Sequence, residues 1–231
     1  MQLFPPNFHA LIIGSSGGIG SAFLELLQRN PRCARVIGIH RHSQPAIDFE
    51  EEATIAQAAV TLSKEAPFHL IINAAGILHT ADFMPEKKLS NLHYAQMEKT
   101  FRINAFGPAL VLNYFSTLLH PEKSVMAMIS AKVGSIEDNR LGGWYSYRAS
   151  KAALNMFLKT ASIELQRTHP NSAVIALHPG TVNSALSQPF RGEKIGRPAL
   201  EAAGDMLEVI NGLQATDTGQ FYAYDGKLLP W

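Results

Sequence analysis

Phe8-His9-Ala10-Leu11-Ile12-Ile13 runs straight into Gly14-Ser15-Ser16-Gly17-Gly18-Ile19-Gly20, and the order of these residues decides the fold. A short apolar run, then glycines, then helical periodicity over 19–29 reads as a buried strand, a tight turn and a helix that starts at the turn. Gly14 permits the sharp exit from the strand. Gly18 leaves space for backbone to approach a pyrophosphate, and Gly20 lets the helix pack close to the strand. The free N–H groups and positive dipole end of the helix then face the phosphates. Ser16 and Ile19 lie within the turn and are assigned with it to dinucleotide binding. The same residues contain Gly14-x-Ser16-x-Gly18, the pattern of an esterase nucleophile elbow. That elbow normally follows several strands, whereas one strand precedes Gly14. A P-loop would end in Gly-Lys-Ser/Thr, and Ile19-Gly20-Ser21 has no lysine.

Beyond the turn, apolar runs at 34–40, 68–73, 124–130, 173–178 and 219–222 alternate with helical patterns at 50–64, 90–119, 145–168 and 199–213. Continuous apolar runs mark strands covered on both faces. The alternation predicts an α/β fold: one doubly wound Rossmann-type domain over 1–231, with a parallel sheet of about seven strands and right-handed crossovers. The irregular stretch 183–198, with Pro189, Gly192, Gly196 and Pro198, reads as a loop over a substrate.

Composition narrows the function classes. The chain has 231 residues, 46% hydrophobic and 17% charged, with a formal net charge of +1. That is globular, and it offers no electrostatic basis for binding nucleic acid or an anionic membrane. No apolar run approaches the roughly 20 residues that span a bilayer. Segment 1–7, with Pro5 and Pro6, lacks the pattern of a signal peptide. Cys33 is the single cysteine, which excludes an intrachain disulfide and fits a reducing, cytoplasmic compartment. The nine histidines show no metal-ligand spacing, so no metal site is expected.

The second strand ends in His40-Arg41-His42. An NAD enzyme usually places an acid near this point to bind the ribose 2′-hydroxyl, and none occurs before Asp48. Arg41 in a basic cluster suits a 2′-phosphate instead, so NADP(H) is expected in preference to NAD(H).

Tyr147-Arg148-Ala149-Ser150-Lys151 opens the fourth helical segment. A spacing of four puts Tyr147 and Lys151 on one face, a turn apart. A free phenol, with a pKa near 10, is a poor acid at neutral pH. A fixed ammonium beside it, together with the charge of an oxidised nicotinamide, would stabilise the phenolate and bring the donor toward a useful range.

With these motifs in order, the chain resembles the short-chain dehydrogenase/reductase family, closest to its C-factor and sniffer-like carbonyl reductase subgroup. The glycine turn matches the family's Gly-x-x-x-Gly-x-Gly, and Tyr147 and Lys151 match its catalytic pair. The resemblance implies that Asp48 contacts the adenine and that Asn73, Ala74, Ala75 and Gly76 support the central strands beside the cofactor. It also implies that Asn104 holds a relay water, that Lys151 binds the ribose as well, and that Pro179, Gly180 and Val182 touch the nicotinamide. The family packs the helices over 90–119 and 145–168 against a second subunit, which implies a homodimer or homotetramer.

One position departs from the family pattern. Its substrate-orienting serine is usually the second of a pair, and here the pair reads Ser130-Ala131. Ser135 is the favoured replacement, because it lies close to the usual spacing before Tyr147; Ser130 is the other candidate. The expected activity is hydride transfer between a nicotinamide and a small carbonyl or alcohol substrate. A dinucleotide-binding signalling or regulatory protein with little catalysis is the alternative. Substrate identity is expected to reside in 77–89 and 183–198.

Overall fold

The computed structural model describes residues 1–231. Six strands form one parallel sheet in the order β2-β1-β3-β4-β5-β6. They are β1 (Phe8–Ile13), β2 (Cys33–Ile39), β3 (Leu70–Asn73), β4 (Ser124–Ile129), β5 (Ser172–His178) and β6 (Phe221–Ala223). The count is close to the expected one. The helices are α1 (Gly18–Gln28), α2 (Glu52–Leu62), α3 (Tyr94–Phe101), α4 (Gly107–Ser116), α5 (Tyr145–Thr168), α6 (Gly192–Ile195) and α7 (Ala199–Asn211). β1 and β3 pair in the middle of the sheet although α1, β2 and α2 lie between them in the chain. This reversal of strand order leaves a crevice at the carboxyl ends of the strands, where α/β folds bind ligands.

Strand alternation divides the apolar residues between two faces. Leu11 and Ile13 join Met126, Met128, Val174 and Ala176 on the side of α2, α4 and α5. Ala10 and Ile12 join Phe23, Val125, Ile175 and Met206 on the side of α1 and α7. Burial on both faces explains why these strands read as unbroken apolar runs.

The helix predicted over 90–119 runs unbroken from Tyr94 to Ser116 but is not α-helical throughout. A 3₁₀ turn at Leu89–Asn91 precedes α3, and Arg102–Phe106 is a π-helical segment between α3 and α4. Such single π turns insert an extra residue and re-aim the side chains near it. Asn104 sits inside this one and is fully buried.

Candidate active site

The glycine turn folds as its sequence requires. Gly14 has φ +82°, and a Cβ there would lie 2.7 Å from the Ala75 nitrogen. A Cβ on Gly20 would lie 2.1 Å from the Gly14 carbonyl oxygen, so only glycine lets α1 start this close to β1. Ser16, Gly17 and Gly18 are exposed at the N-terminus of α1, whose first turn carries no acid. Beside the turn, the Ala74 N–H donates to the Ile13 carbonyl at 2.8 Å, and the Ala75 N–H to Asn73 Oδ1 at 3.1 Å. These bonds hold 73–76 against the end of β1.

Two cavities meet at Ala74, Ala75 and Gly76. One, of about 510 Å³, is lined by Gly14, Ser16, His40, Arg41 and Asp48 among others. The other, of about 260 Å³, is lined by Ile19, Ser130, Ala131, Tyr147, Lys151, and 178–182. Together they form one cleft from the basic end of β2 to the tyrosine. All the predicted dinucleotide residues except Gly18, Gly20 and Asn73 line it, and those three shape the backbone around it. A Cβ on Gly76 would meet Asn104 Oδ1 at 3.2 Å and Lys151 Nζ at 3.4 Å. A nucleotide-sized cleft with exposed N–H groups at one end and a lysine at the other fits NADP(H).

Tyr147 and Lys151 share one face of α5, both buried. Lys151 Nζ donates to the Ile129 carbonyl at 3.0 Å and lies 5.9 Å from the centre of the Tyr147 ring. Burial pushes the Tyr147 phenol up to about 12 and the Lys151 ammonium down to about 8. Desolvation penalises the charged form of each. The expectation that the ammonium lowers the phenol therefore does not describe the free protein, in which burial wins. Tyr147 is a neutral phenol throughout the physiological range, the form that can donate a proton.

Asn104 ties neighbouring segments together. Its Oδ1 accepts from the Ile77 N–H at 2.8 Å, and its Nδ2 donates to the Ile77 carbonyl at 2.8 Å and to Ser150 Oγ at 3.2 Å. Ser150 Oγ donates in turn to the Tyr147 carbonyl at 2.9 Å. The side chain of Asn104 is thus engaged with protein through both its amide oxygen and its amide nitrogen.

The preference for Ser135 does not survive the geometry. Its hydroxyl donates to the Trp231 carbonyl at 3.1 Å and accepts from the Asp138 N–H, and it does not line the cavity. A 3₁₀ turn at Lys132–Gly134 carries it away from the tyrosine despite the near-standard spacing. Ser130 does line the cavity, but its hydroxyl donates to Asn155 Oδ1 at 2.6 Å. Ala131 packs beside Tyr147 and Leu78, where the usual hydroxyl would stand.

Three further features shape the surroundings of the site. Trp144 and Phe190 form an edge-to-face pair with centroids 5.0 Å apart, and both line the smaller cavity. Their separation in sequence hides the contact. His178 also lines it, with Nδ1 buried and unpartnered; burial and Lys132 lower its pKa to about 4, so it is neutral. Glu86 is buried, although it stands beside the two lysines of Met84-Pro85-Glu86-Lys87-Lys88.

The family model for short chain dehydrogenase matches residues 8–194. The 1-hydroxy-2-glutathionyl-2-methyl-3-butene dehydrogenase of Rhodococcus sp. (strain AD45) is 29% identical over 81% of this chain and 80% of its own length. The C-signal protein of Myxococcus xanthus is 36% identical over 71% of this chain and 93% of its own. Among solved structures, an NADPH-bound carbonyl reductase from chicken fatty liver superposes with a TM-score of 0.85 at 24% identity, covering 99% of this chain and 96% of that one. The carbonyl reductase Sniffer of D. melanogaster gives 0.82 at 21% identity, covering 97% and 99%. At these identities the two structures establish a shared fold.

Proposed function

This chain belongs to the short-chain dehydrogenase family, and from that membership we propose that it is an NADP(H)-dependent oxidoreductase acting on a small carbonyl or alcohol substrate. The observation that carries this reading is the single cleft that runs from Arg41 through Gly76 to Tyr147. The Gly14–Gly20 turn, with Ser16 and Ile19, receives the pyrophosphate, and Arg41 the 2′-phosphate. Asp48 flanks the adenine, and Asn73, Ala74, Ala75 and Gly76 form the floor. Lys151 holds the nicotinamide ribose, with Pro179, Gly180 and Val182 against the ring. When bound, the nicotinamide supplies or takes up the hydride.

The residues of the chain handle the proton and the surroundings. In the reductive direction Tyr147 gives its hydroxyl proton to the substrate oxygen as negative charge develops there. Lys151 places a positive charge near the phenol, which stabilises the phenolate left behind. Trp144, Leu186 and Phe190 wall the cavity with apolar surface and keep water from the reacting atoms. Segment 183–198 supplies the outer part of that wall, in keeping with a substrate loop. NADP(H) is preferred over NAD(H) because a guanidinium and no carboxylate stands at the end of β2.

The assembly is a homodimer or homotetramer, supported by Phe106 beside α4 and by Met156, Phe157 and Ile163, all exposed on α5. A cytoplasmic location accords with one unpaired cysteine. No helix is long and apolar enough to cross a membrane.

Fluorescence titration with NADPH and NADH, followed by a panel of ketones and aldehydes read at the NADPH absorbance band, tests the proposal. Tighter binding of NADPH, with turnover that Tyr147→Phe abolishes, is the expected outcome. Full turnover by Tyr147→Phe overturns the assigned chemistry. NADPH binding with no turnover of any carbonyl moves the function to the regulatory class.

A further inference from the structure

α5 begins without a cap of its own. Gly142, Gly143 and Trp144 all have positive φ, and the N-cap residue Trp144 makes no side-chain cap bond. The first N–H groups of a helix need acceptors when they are buried. Here the acceptor comes from another part of the chain. Glu86, 2% exposed, lies on the segment between β3 and α3, and its Oε2 accepts from the Ser146 N–H at 3.1 Å. Its Oε1 accepts from Ser146 Oγ, and its backbone carbonyl accepts from the Trp144 N–H. No cation pairs with this carboxylate; the partial positive charge of the helix end and the two Ser146 groups replace its solvation.

The segment that carries Glu86 is held at several points. Asn104 clamps Ile77 and reaches Ser150, while Gln96 Nε2 donates to the Met84 carbonyl at 3.0 Å. Residues 77–86 therefore bridge from the π-helical segment to the N-terminus of α5. One end of the bridge, Glu86, reaches the turn that carries Tyr147; the other end, Ile77, is held by Asn104, whose Nδ2 donates to Ser150 Oγ, and Ser150 bonds the Tyr147 carbonyl. The cavity residue Leu78 lies on this bridge.

We propose that Glu86 is a positioning residue for Tyr147: its buried carboxylate caps the helix from the loop side, setting the phenol and Trp144 in place against the substrate. This inference rests on the assignment of Tyr147 as proton donor. An error of about 1 Å in placing a reacting group lowers rate by about a hundredfold. A loosened first turn is therefore expected to act on kcat. The glycine turn, which belongs to β1 and α1, is left intact.

The test compares Glu86→Ala, Glu86→Gln and Ser146→Ala with the unaltered protein. The measurements are kcat and KM for a carbonyl that the protein turns over, NADPH affinity, and hydrogen exchange at the first turn of α5. Glu86→Ala is expected to lower kcat by about tenfold or more, with NADPH Kd changed by less than about twofold and faster exchange at 146–148. Glu86→Gln, which keeps one carbonyl acceptor for the Ser146 N–H, is expected to recover much of the loss. Ser146→Ala is expected to give a smaller loss that is not additive with Glu86→Gln. An unchanged kcat and unchanged exchange in Glu86→Ala overturn the proposal, as does an equal loss in both glutamate variants with weakened NADPH binding. If Glu86→Ala does not fold, the Glu86→Gln and Ser146→Ala pair decides, and additivity between them counts against the proposal. If no carbonyl is turned over by the unaltered protein, the Tyr147 assignment fails. Hydrogen exchange then still decides whether Glu86 fixes the helix.

Discussion

Ala131 removes a hydroxyl from the place beside Tyr147 where the family pattern has one, and the neighbouring serines do not restore it. Ser130 is bonded to Asn155, and Ser135 to the C-terminal backbone. Preorganised donors at a developing oxyanion are worth roughly 10²–10³ in kcat where they have been removed. Ala131→Ser is therefore expected to raise kcat/KM for a given carbonyl, and Ser135→Ala to leave it unchanged. A steady-state comparison of the two variants checks this, and a loss in Ser135→Ala would restore that serine to the site. Arg41→Asp is expected to weaken NADPH by about tenfold or more relative to NADH, since a charge-assisted bond contributes about 1.5–3 kcal/mol; an unmoved ratio would exclude Arg41. The lysine sets a pH limit. With its pKa lowered to about 8, Lys151 holds its proton below that value and loses it above, while Tyr147, raised to about 12, stays neutral. A basic limb near pH 8 in kcat/KM for NADPH is expected from the lysine and is expected to vanish in Lys151→Arg. A limb that persists there belongs to another group.

At the scale of the elements, the junction of β1 and α1 is the most constrained. The Gly20 Cβ position lies on the Gly14 carbonyl oxygen, so Gly20→Ala must push α1 away from the strand. Overpacking of this kind typically destabilises by about 1–3 kcal/mol. A lower Tm together with weaker NADPH binding is expected, by thermal melt and fluorescence titration; a variant that melts normally and binds normally would contradict the packing argument. This junction was legible in advance because every step is local: apolar run, glycines, helix. The π turn at 102–106 was not, because no residue type marks where the extra residue is inserted. The cap on α5 was hidden for a different reason. Its acceptor, Glu86, stands 60 positions from Ser146.

Across the whole molecule, two histidines at opposite ends of the sheet link stability to pH. His69 stacks on His120 with centroids 4.1 Å apart, and its Nδ1 accepts from the His9 N–H. Burial first, then His120 and His9, lower it from 6.5 to about 4. His178, at the carboxyl end of β5, is lowered to about 4 by burial and Lys132, against the opposing pull of Asp138 and Asp225. The folded chain keeps both neutral between these values, while the unfolded chain takes up protons. Stability is then complete above about pH 6.5 and falls as pH drops toward 4. Melting temperature followed across that window is expected to decline, and less steeply in His69→Gln; a flat profile would refute the linkage. By itself the sequence determined the α/β class, the glycine turn, the Tyr147–Lys151 face and the basic end of β2, because strand burial, helix periodicity and turn chemistry act within a few residues. Only the tertiary structure decided which hydroxyls reach the cavity, that burial raises the Tyr147 phenol and lowers the Lys151 ammonium, and that Glu86 caps α5. Each of these depends on what the packed chain brings close and what it removes from water.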